Sequence, residues 1–148
     1  MFRKKQEVKE LSDKEFKKFR KFVEDVVSDL LKISHSTEYD MSFVVITHDE
    51  YEGEDEKTGG EDYQVIATIT VDERYMAATL KAYPPLLSAW KDGRKDFIVE
   101  TLAHEIAHIK TDRMFKMGVD RFAARKEMAT ERERLTEFIG RCMLSMLK

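Results

Sequence analysis

The chain has 148 residues, enough for one domain with a substantial hydrophobic core. Hydrophobic residues make up 42% and charged residues 37%, which is typical of a globular protein with a charged exterior and excludes a disordered or membrane-spanning chain. The net charge of −3 gives no electrostatic case for nucleic-acid binding, which would call for a basic face, so we expect no nucleic-acid partner. We predict a single domain over residues 1–148, with residues 1–10 as a charged leader.

The cysteine content and the hydropathy of the sequence indicate the cellular compartment in which the protein is expected. A single cysteine, Cys142, excludes an intramolecular disulfide framework and is compatible with a reducing cytosol. No apolar run reaches the roughly 18 residues that a membrane span needs. Residues 1–10 are charged and no apolar segment follows them, unlike a secretory signal. We therefore expect a cytoplasmic protein without a membrane partner. Cys142 falls among apolar positions of the last predicted helix, where we expect it to fill the core.

The first predicted element is an amphipathic helix. Ser12 and Glu15 have the spacing of a capping box, in which a serine N-cap is followed by a glutamate three residues later. The helix that they open runs to about Ile33. Its apolar residues recur at helical spacing opposite a lysine-rich face: Phe16, Phe19, Val23, Val26, Val27, Leu30 and Leu31. This helix is predicted to cover one side of the core.

Strands are predicted next. Met41–Thr47 is a β-rich run, and Gln64–Val71 is a second run with alternating apolar residues. The acidic stretch Asp49–Asp62 between them is favoured as a solvated hairpin tip over a cation site or a surface for a basic partner. Met76–Tyr83 is either a third short strand or an amphipathic turn, and Pro84-Pro85 ends it.

Helices fill the remainder of the chain. A short helix is predicted at Leu86–Lys91, and a buried helix from about Asp96 to Met117. Gly118 is placed as the residue that ends this helix, and Asp120 as the N-cap of a final helix that continues almost to Lys148. Strands followed by a run of helices predict the α+β class.

The buried helix carries an H-E-x-x-H motif at His104, Glu105 and His108. Helical positions four apart lie on one face, about 6 Å apart along the axis, so both imidazoles can bind one zinc ion. Glu105 is rotated by about 100° from His104, close to the metal without having to ligate it. A carboxylate in that position can act as a general base on a zinc-activated water. The motif therefore predicts two metal ligands and a catalytic base.

The alternative to a metal site is a chance match in a structural cluster. Such a match would usually lie on a solvated surface, whereas apolar residues surround this motif on nearly the whole helix circumference: Phe97, Ile98, Val99, Leu102, Ala103, Ile106, Ala107 and Ile109. Two histidines and a glutamate buried together require partners, because an unpaired buried charge costs several kcal/mol. The burial of the motif favours the metal.

A catalytic zinc site uses three protein ligands, and no histidine follows His108, so the third ligand is predicted to be a carboxylate. If the final helix folds back antiparallel, four glutamates come within range: Glu127, Glu131, Glu133 and Glu137. Glu133 is favoured because its helix face includes Ala129 and Gly140, small residues that allow close approach. Glu131 lies on another apolar side. Glu137, one turn beyond Glu133, is a candidate for hydrogen bonding to a ligating histidine.

The arrangement of these motifs resembles known peptidases. An H-E-x-x-H followed by a glutamate on the next helix resembles the gluzincin metallopeptidases. More closely, the stretches YQVIATITVDERYMAATL, VETLAHEIAHIKTD and ERLTEFIG are similar to small metallopeptidase-like proteins of phages and prophages, over roughly residues 64–147. Glu133, Glu137, Ile139 and Gly140 match the helix-glutamate spacing of such domains. Position 137 is a glutamate in this chain, whereas larger relatives prefer Asn or Asp at that position.

The resemblance implies a small antiparallel sheet packed on the active-site helix, with an edge strand that pairs with an extended protein or peptide substrate. The expected activity is peptide-bond hydrolysis with zinc held by His104, His108 and Glu133. A second electrophile is expected from Tyr75, Tyr83 or His48, which the sequence does not rank. The alternative is a zinc-stabilised regulatory, interaction or phage structural protein that no longer cleaves anything.

Overall fold

The structure, a computed structural model, describes residues 11–46, 65–120 and 125–147. Its elements in chain order are α1 (Asp13–Ile33), β1 (Asp40–Val45), β2 (Ala67–Asp72), β3 (Ala77–Ala82), α2 (Pro84–Lys91), α3 (Lys95–Asp120) and α4 (Arg125–Met146). The predicted α+β class, with an N-terminal helix and a long C-terminal helix, is confirmed. Across the described ranges, the helices are too short or too polar to cross a membrane.

Helix α1 begins where the capping box predicts. The Ser12 hydroxyl accepts a hydrogen bond from the backbone N–H of Glu15 at 3.3 Å, which satisfies one of the free donors of the first turn. The Glu15 carboxylate accepts a hydrogen bond from Trp90 Nε1 at 3.4 Å and so ties α1 to α2. The apolar stripe is buried at five positions: Phe19, Val23, Val27, Leu30 and Leu31. The amphipathic periodicity therefore identified the buried face.

The sheet has the strand order β1-β3-β2, with β1 parallel and β2 antiparallel to β3. It is thus a mixed sheet and not the wholly antiparallel one that the family resemblance implied. The four-residue turn Glu73–Met76 pairs β2 with β3, and β1 lies on the far side of β3. Because β1 and β2 do not pair, the segment between them does not connect a hairpin, contrary to the prediction; its acidic residues 49–62 lie outside the described part of the chain.

The stretch that was predicted as either a third strand or an amphipathic turn is a strand, and it is the central one. Ala78, Leu80 and Ala82 are buried on one face of β3. The two prolines that follow occupy the first helical positions of α2, so they begin a helix as well as ending a strand. Proline is tolerated there because the first N–H groups of a helix have no intrahelical partner.

Helix α3 extends beyond its predicted end and passes through Gly118 to Asp120. Gly118 lies within α3 and does not end it; it faces the end of the Met128 side chain of α4, which an added Cβ would overlap. The predicted N-cap at Asp120 is likewise wrong, since α4 begins at Arg125. The first half of α3 is buried at Ile98, Leu102, Ala103, Ile106 and Ala107, where it packs against α1, α2, β2 and α4.

Helix α4 buries a single face. Thr136, Gly140 and Met143 are buried against α3. Phe138 is 64% exposed, and Cys142 is exposed as well. The prediction that Cys142 fills the core is therefore wrong: apolar residues occur on two sides of this helix, and Cys142 lies on the side that does not contact α3.

Candidate metal centre

The two histidines of the H-E-x-x-H motif lie in the middle of α3, four residues apart on one face. Their ring centroids are 5.0 Å apart and their planes meet at 79°. The side chains of His104 and His108 are 30% and 13% exposed, so the pair lies at the rim of the core, accessible from one side. This placement results from α3 itself, whose neighbouring positions Ala103, Ile106 and Ala107 anchor the helix in the core.

Glu133 of α4 lies directly opposite the pair. Its Oε2 is 3.5 Å from His104 Nε2, and its Oε1 is 3.8 Å from His108 Nε2. One ligand atom from each of the three residues lies within 4.8 Å of the others. Ligands at zinc–ligand distances of 2.0–2.1 Å in a tetrahedral site are about 3.3 Å apart. Since the separations in the structure reach up to 4.8 Å, the three side chains would have to draw together by up to about 1.5 Å to hold a zinc ion.

Both histidines are oriented by carboxylates at their other ring nitrogen. Glu137 Oε2 is 3.1 Å from His104 Nδ1, and Asp112 Oδ1 is 3.2 Å from His108 Nδ1. An ionised carboxylate can only accept, so each Nδ1 carries a proton, and in the neutral form of each ring Nε2 keeps its lone pair. Those two lone pairs face Glu133. This is the tautomer that metal-ligating histidines require.

Asp112 is the functional residue that the sequence analysis missed. It lies four residues after His108 on α3, the spacing at which helical side chains meet. The signal was therefore present in the sequence as His-x-x-x-Asp. Glu137, by contrast, lies where the sequence predicted a carboxylate that supports a ligating histidine, and its other oxygen accepts a hydrogen bond from Arg141 at 3.1 Å.

Arg132 joins the two helices beside the site. Its Nε lies 3.3 Å from Glu133 Oε1, and one of its terminal nitrogens lies 3.9 Å from Asp112 Oδ1. The guanidinium stacks over the Phe115 ring at 4.2 Å from the centroid, which holds it flat against α3. The charge of Arg132 is thus shared between the predicted third ligand and the partner of His108.

The charge balance of the site favours a cation. Four carboxylates converge on it: Glu105, Asp112, Glu133 and Glu137. Two guanidiniums oppose them, Arg132 and Arg141. With neutral histidines, four negative charges less two positive ones leave a charge of −2 when all carboxylates are ionised. A divalent cation neutralises this excess.

Glu105 points from α3 toward β2, where its carboxylate accepts a hydrogen bond from the backbone N–H of Ile69. The N–H of Tyr83 donates to the carbonyl of Ile66, so the backbone polar groups of Ile66 face β3. Along an antiparallel strand, the N–H and C=O groups of successive residues face alternate sides. The N–H and C=O of Ile69 consequently point away from β3, toward the edge of the described sheet. The sheet register therefore supplies the donor that orients Glu105.

The pKa of Glu105 is raised to about 7, chiefly by burial and also by the charges of Glu133 and Asp112, against the opposing effects of His108 and of the hydrogen bond from Ile69. At His108, burial lowers the pKa, but the hydrogen bond that the ring donates to Asp112 and the nearby carboxylates outweigh it, so the pKa is raised. The pKa of Glu137 is lowered, chiefly by its hydrogen bond with His104 and then by that with Arg141. A carboxyl group that titrates near neutral pH suits a general base.

The other predicted candidates lie elsewhere. Glu131 is exposed and pairs with Arg134 at 3.1 Å, and Glu127 is exposed in the first turn of α4. Among the suggested electrophiles, Tyr75 is 78% exposed in the turn between β2 and β3. The buried Tyr83 has its hydroxyl 3.3 Å from Thr68 Oγ1. His48 lies outside the described residues.

A pH dependence of stability follows from Glu105. Its pKa is higher in the folded than in the unfolded protein, so the folded protein binds more protons between about pH 4.5 and about 7. The free energy of unfolding attributable to this group therefore falls as the pH rises through that window, by up to roughly 3 kcal/mol. In chelator-treated protein, Glu105→Gln should match the wild type below pH 4.5 and be more stable above pH 7. Urea unfolding of both proteins across pH measures the difference; equal stability at pH 8 would contradict the buried setting of Glu105.

Comparison of the chain with models of protein families, with curated proteins and with solved structures found no match.

Proposed function

We propose that this chain is a zinc-dependent peptidase of the gluzincin kind, in which His104, His108 and Glu133 hold the metal and Glu105 is the general base. The observation that carries the proposal is the convergence of two imidazole Nε2 atoms on one carboxylate, at 3.5 and 3.8 Å, with each Nδ1 held by another carboxylate. A structural cluster of the same residues would not require both rings to present free lone pairs to the same point.

The number of ligands separates a catalytic from a structural role. Within residues 11–46, 65–120 and 125–147, the histidine–carboxylate group that can hold a metal has three members. Three protein ligands are typical of catalytic zinc sites, whereas structural sites use four. When bound, zinc supplies Lewis acidity, which lowers the pKa of a coordinated water and polarises a carbonyl group.

Glu105 performs the proton transfers of the proposed reaction. Its carboxylate takes a proton from the attacking water, whose oxygen forms a bond to the carbonyl carbon of the peptide. The carbon–nitrogen bond then breaks, and Glu105 delivers the proton to the departing amine. The hydrogen bond from Ile69 holds the carboxylate beside the histidines, and its burial keeps the pKa near neutrality, so that both transfers are feasible.

Strand β2 supports a peptide as the substrate. It is the edge of the described sheet nearest α3, and beside Glu105, which takes up the N–H of Ile69, the C=O of Ile69 points outward. An extended peptide can add to such an edge through main-chain hydrogen bonds, which bring its backbone past the base. The proposed substrate class is therefore an extended segment of a protein or peptide.

Zinc content tests the metal site. Protein purified without added metal is expected to contain about one zinc per chain by elemental analysis, and His104→Ala/His108→Ala is expected to contain almost none. His35→Asn is the matched control: it removes an exposed histidine outside the site, and asparagine tolerates the positive φ of 51° at that position. Zinc loss in the control, or a metal-free wild type that gains no stability from added zinc, would refute the metal site.

A further inference from the structure

A buried hydrogen bond links α3 to α4 next to the metal-binding residues. Thr111 Oγ1 and Thr136 Oγ1 are 2.8 Å apart, and both residues are fully buried. Two hydroxyl groups in an apolar helix interface each need a partner, and each supplies the other's. The pair is therefore a fully buried alignment point between two helices whose other polar contacts lie at the partly exposed histidine–carboxylate cluster.

The position of this pair ties it to the metal site. Thr111 lies three residues after His108 on α3, and Thr136 lies three residues after Glu133 on α4. Residues three apart on a helix lie on adjacent turns of the same face. Fixing Thr111 against Thr136 consequently fixes the distance between the histidines and Glu133.

Alignment matters here because α4 carries several carboxylates. If α4 slipped by four residues, Glu137 would take the place of Glu133 opposite the histidines. The same slip would bring Gly140 opposite Thr111, and the buried hydroxyl would lose its partner. A slip in the other direction would place Ala129 at the histidines and Arg132 opposite Thr111. Buried polar pairs of this kind are known to specify helix register.

Gly140 restricts the alignment at the other end of the contact. A Cβ added there would lie 3.5 Å from the backbone of Ala103 and from the His104 Cα, so α4 touches α3 at the first ligand. In the slipped alignment, Leu144 would meet this surface and force the helices apart. Close packing of the helices therefore requires the alignment that places Gly140 against α3. In that alignment, the threonine pair adds a directional contact.

We infer that the Thr111–Thr136 hydrogen bond is a positioning device that selects Glu133, among the carboxylates of α4, as the third metal ligand. The inference rests on the proposed metal site. The two threonines act through the ligands and do not touch the metal themselves. Their contribution should therefore be seen in metal affinity and coordination geometry more than in the stability of the fold.

The test is Thr111→Val/Thr136→Val, which removes both hydroxyls and keeps the side-chain shape, so that neither helix is left with an unpaired polar group. Zinc affinity is measured by chelator competition, and the visible spectrum of bound cobalt(II) reports the coordination geometry. We expect zinc binding to weaken by about 10-fold or more and the cobalt spectrum to change, as for losses of groups that orient ligands. The thermal midpoint of the chelator-treated protein should change little.

Two matched variants separate this role from a general packing role. Thr101 lies three residues before His104, but its hydroxyl donates to the Phe97 carbonyl within α3, so Thr101→Val should bind both metals like the wild type. Thr111→Ser/Thr136→Ser keeps both hydroxyls and should retain the wild-type cobalt spectrum. If the double valine variant does not fold, Thr111→Ala/Thr136→Ala, which also leaves no unpaired hydroxyl, is measured in the same way.

The outcomes are distinct. A wild type that binds metal, with valine variants of equal affinity and the same cobalt spectrum, overturns the positioning role and leaves the proposed function standing. A wild type that binds neither zinc nor cobalt overturns the proposed metal site, and the inference with it.

Discussion

Replacing Glu105 by glutamine is expected to reduce peptide hydrolysis by at least about 100-fold while zinc stays bound. Glutamine keeps the size of the side chain and can still accept the hydrogen bond from Ile69, but it cannot take up a proton at neutral pH. The metal ligands are untouched, so the zinc content should match the wild type. The measurement combines turnover of an unstructured protein substrate with elemental analysis of the same preparation.

Glu100→Gln is the control for this variant, because Glu100 is an exposed glutamate of the same helix outside the site. It should retain full turnover and the wild-type pH profile. Unchanged turnover in Glu105→Gln would exclude the general-base role. It would instead favour a zinc-stabilised regulatory or interaction protein, in which the buried carboxylate has another task.

Glu133→Ala is expected to cause the largest loss of zinc affinity among the glutamates of α4. It removes the oxygen ligands that face both imidazoles and leaves two ligands for the ion. Glu137→Ala should weaken binding by about 10–100-fold, because it frees the His104 ring to rotate. Asp112→Ala should have an effect of the same size through His108. Glu131→Ala should retain zinc, since its partner is Arg134 on the surface.

Competition with a zinc chelator across these four variants ranks them directly. Circular dichroism of each chelator-treated variant confirms that the fold is retained, so that affinity is compared between folded proteins. Loss of zinc in Glu131→Ala with retention in Glu133→Ala would show that the other face of α4 meets the metal. Equal zinc affinity in all four variants would contradict the proposal that a carboxylate is the third ligand.

Local sequence patterns predict the structure correctly where interactions within one or two helical turns determine it. The Ser12 cap and the apolar stripe of α1 depend on residues within one or two turns, and both are found as predicted. The face of Glu133 was deduced from the small residue at Gly140, and that glycine does lie against the backbone of α3. The H-E-x-x-H spacing places two imidazoles on one helix face by helical geometry.

The strand order of the sheet could not be predicted from local sequence patterns. Strands β1 and β2 are neighbours in sequence but lie on opposite sides of β3, and no local pattern specifies which strand becomes central. Gly118 is a second example of a feature that local patterns do not predict. The glycine is predicted to end a helix, but it lies within α3, where it faces the Met128 side chain of α4. The exposure of Cys142 also depends on which face of α4 contacts α3. Asp112 is a different case, since its spacing from His108 was readable in the sequence.

The proposed ligands and the carboxylates that orient them come from one continuous stretch, residues 104–137, on two helices adjacent in the chain. The setting of Glu105 instead depends on Ile69, 36 positions earlier. This separation is close to the 33 positions between His104 and Glu137, but a helical hairpin forms between elements adjacent in the chain, whereas a contact with a sheet strand must wait for that strand to pair. We therefore expect the helical hairpin to become able to hold an ion before the base reaches its buried position. An ion captured at that stage would favour completion of folding by mass action, and hydrolytic competence would arise last.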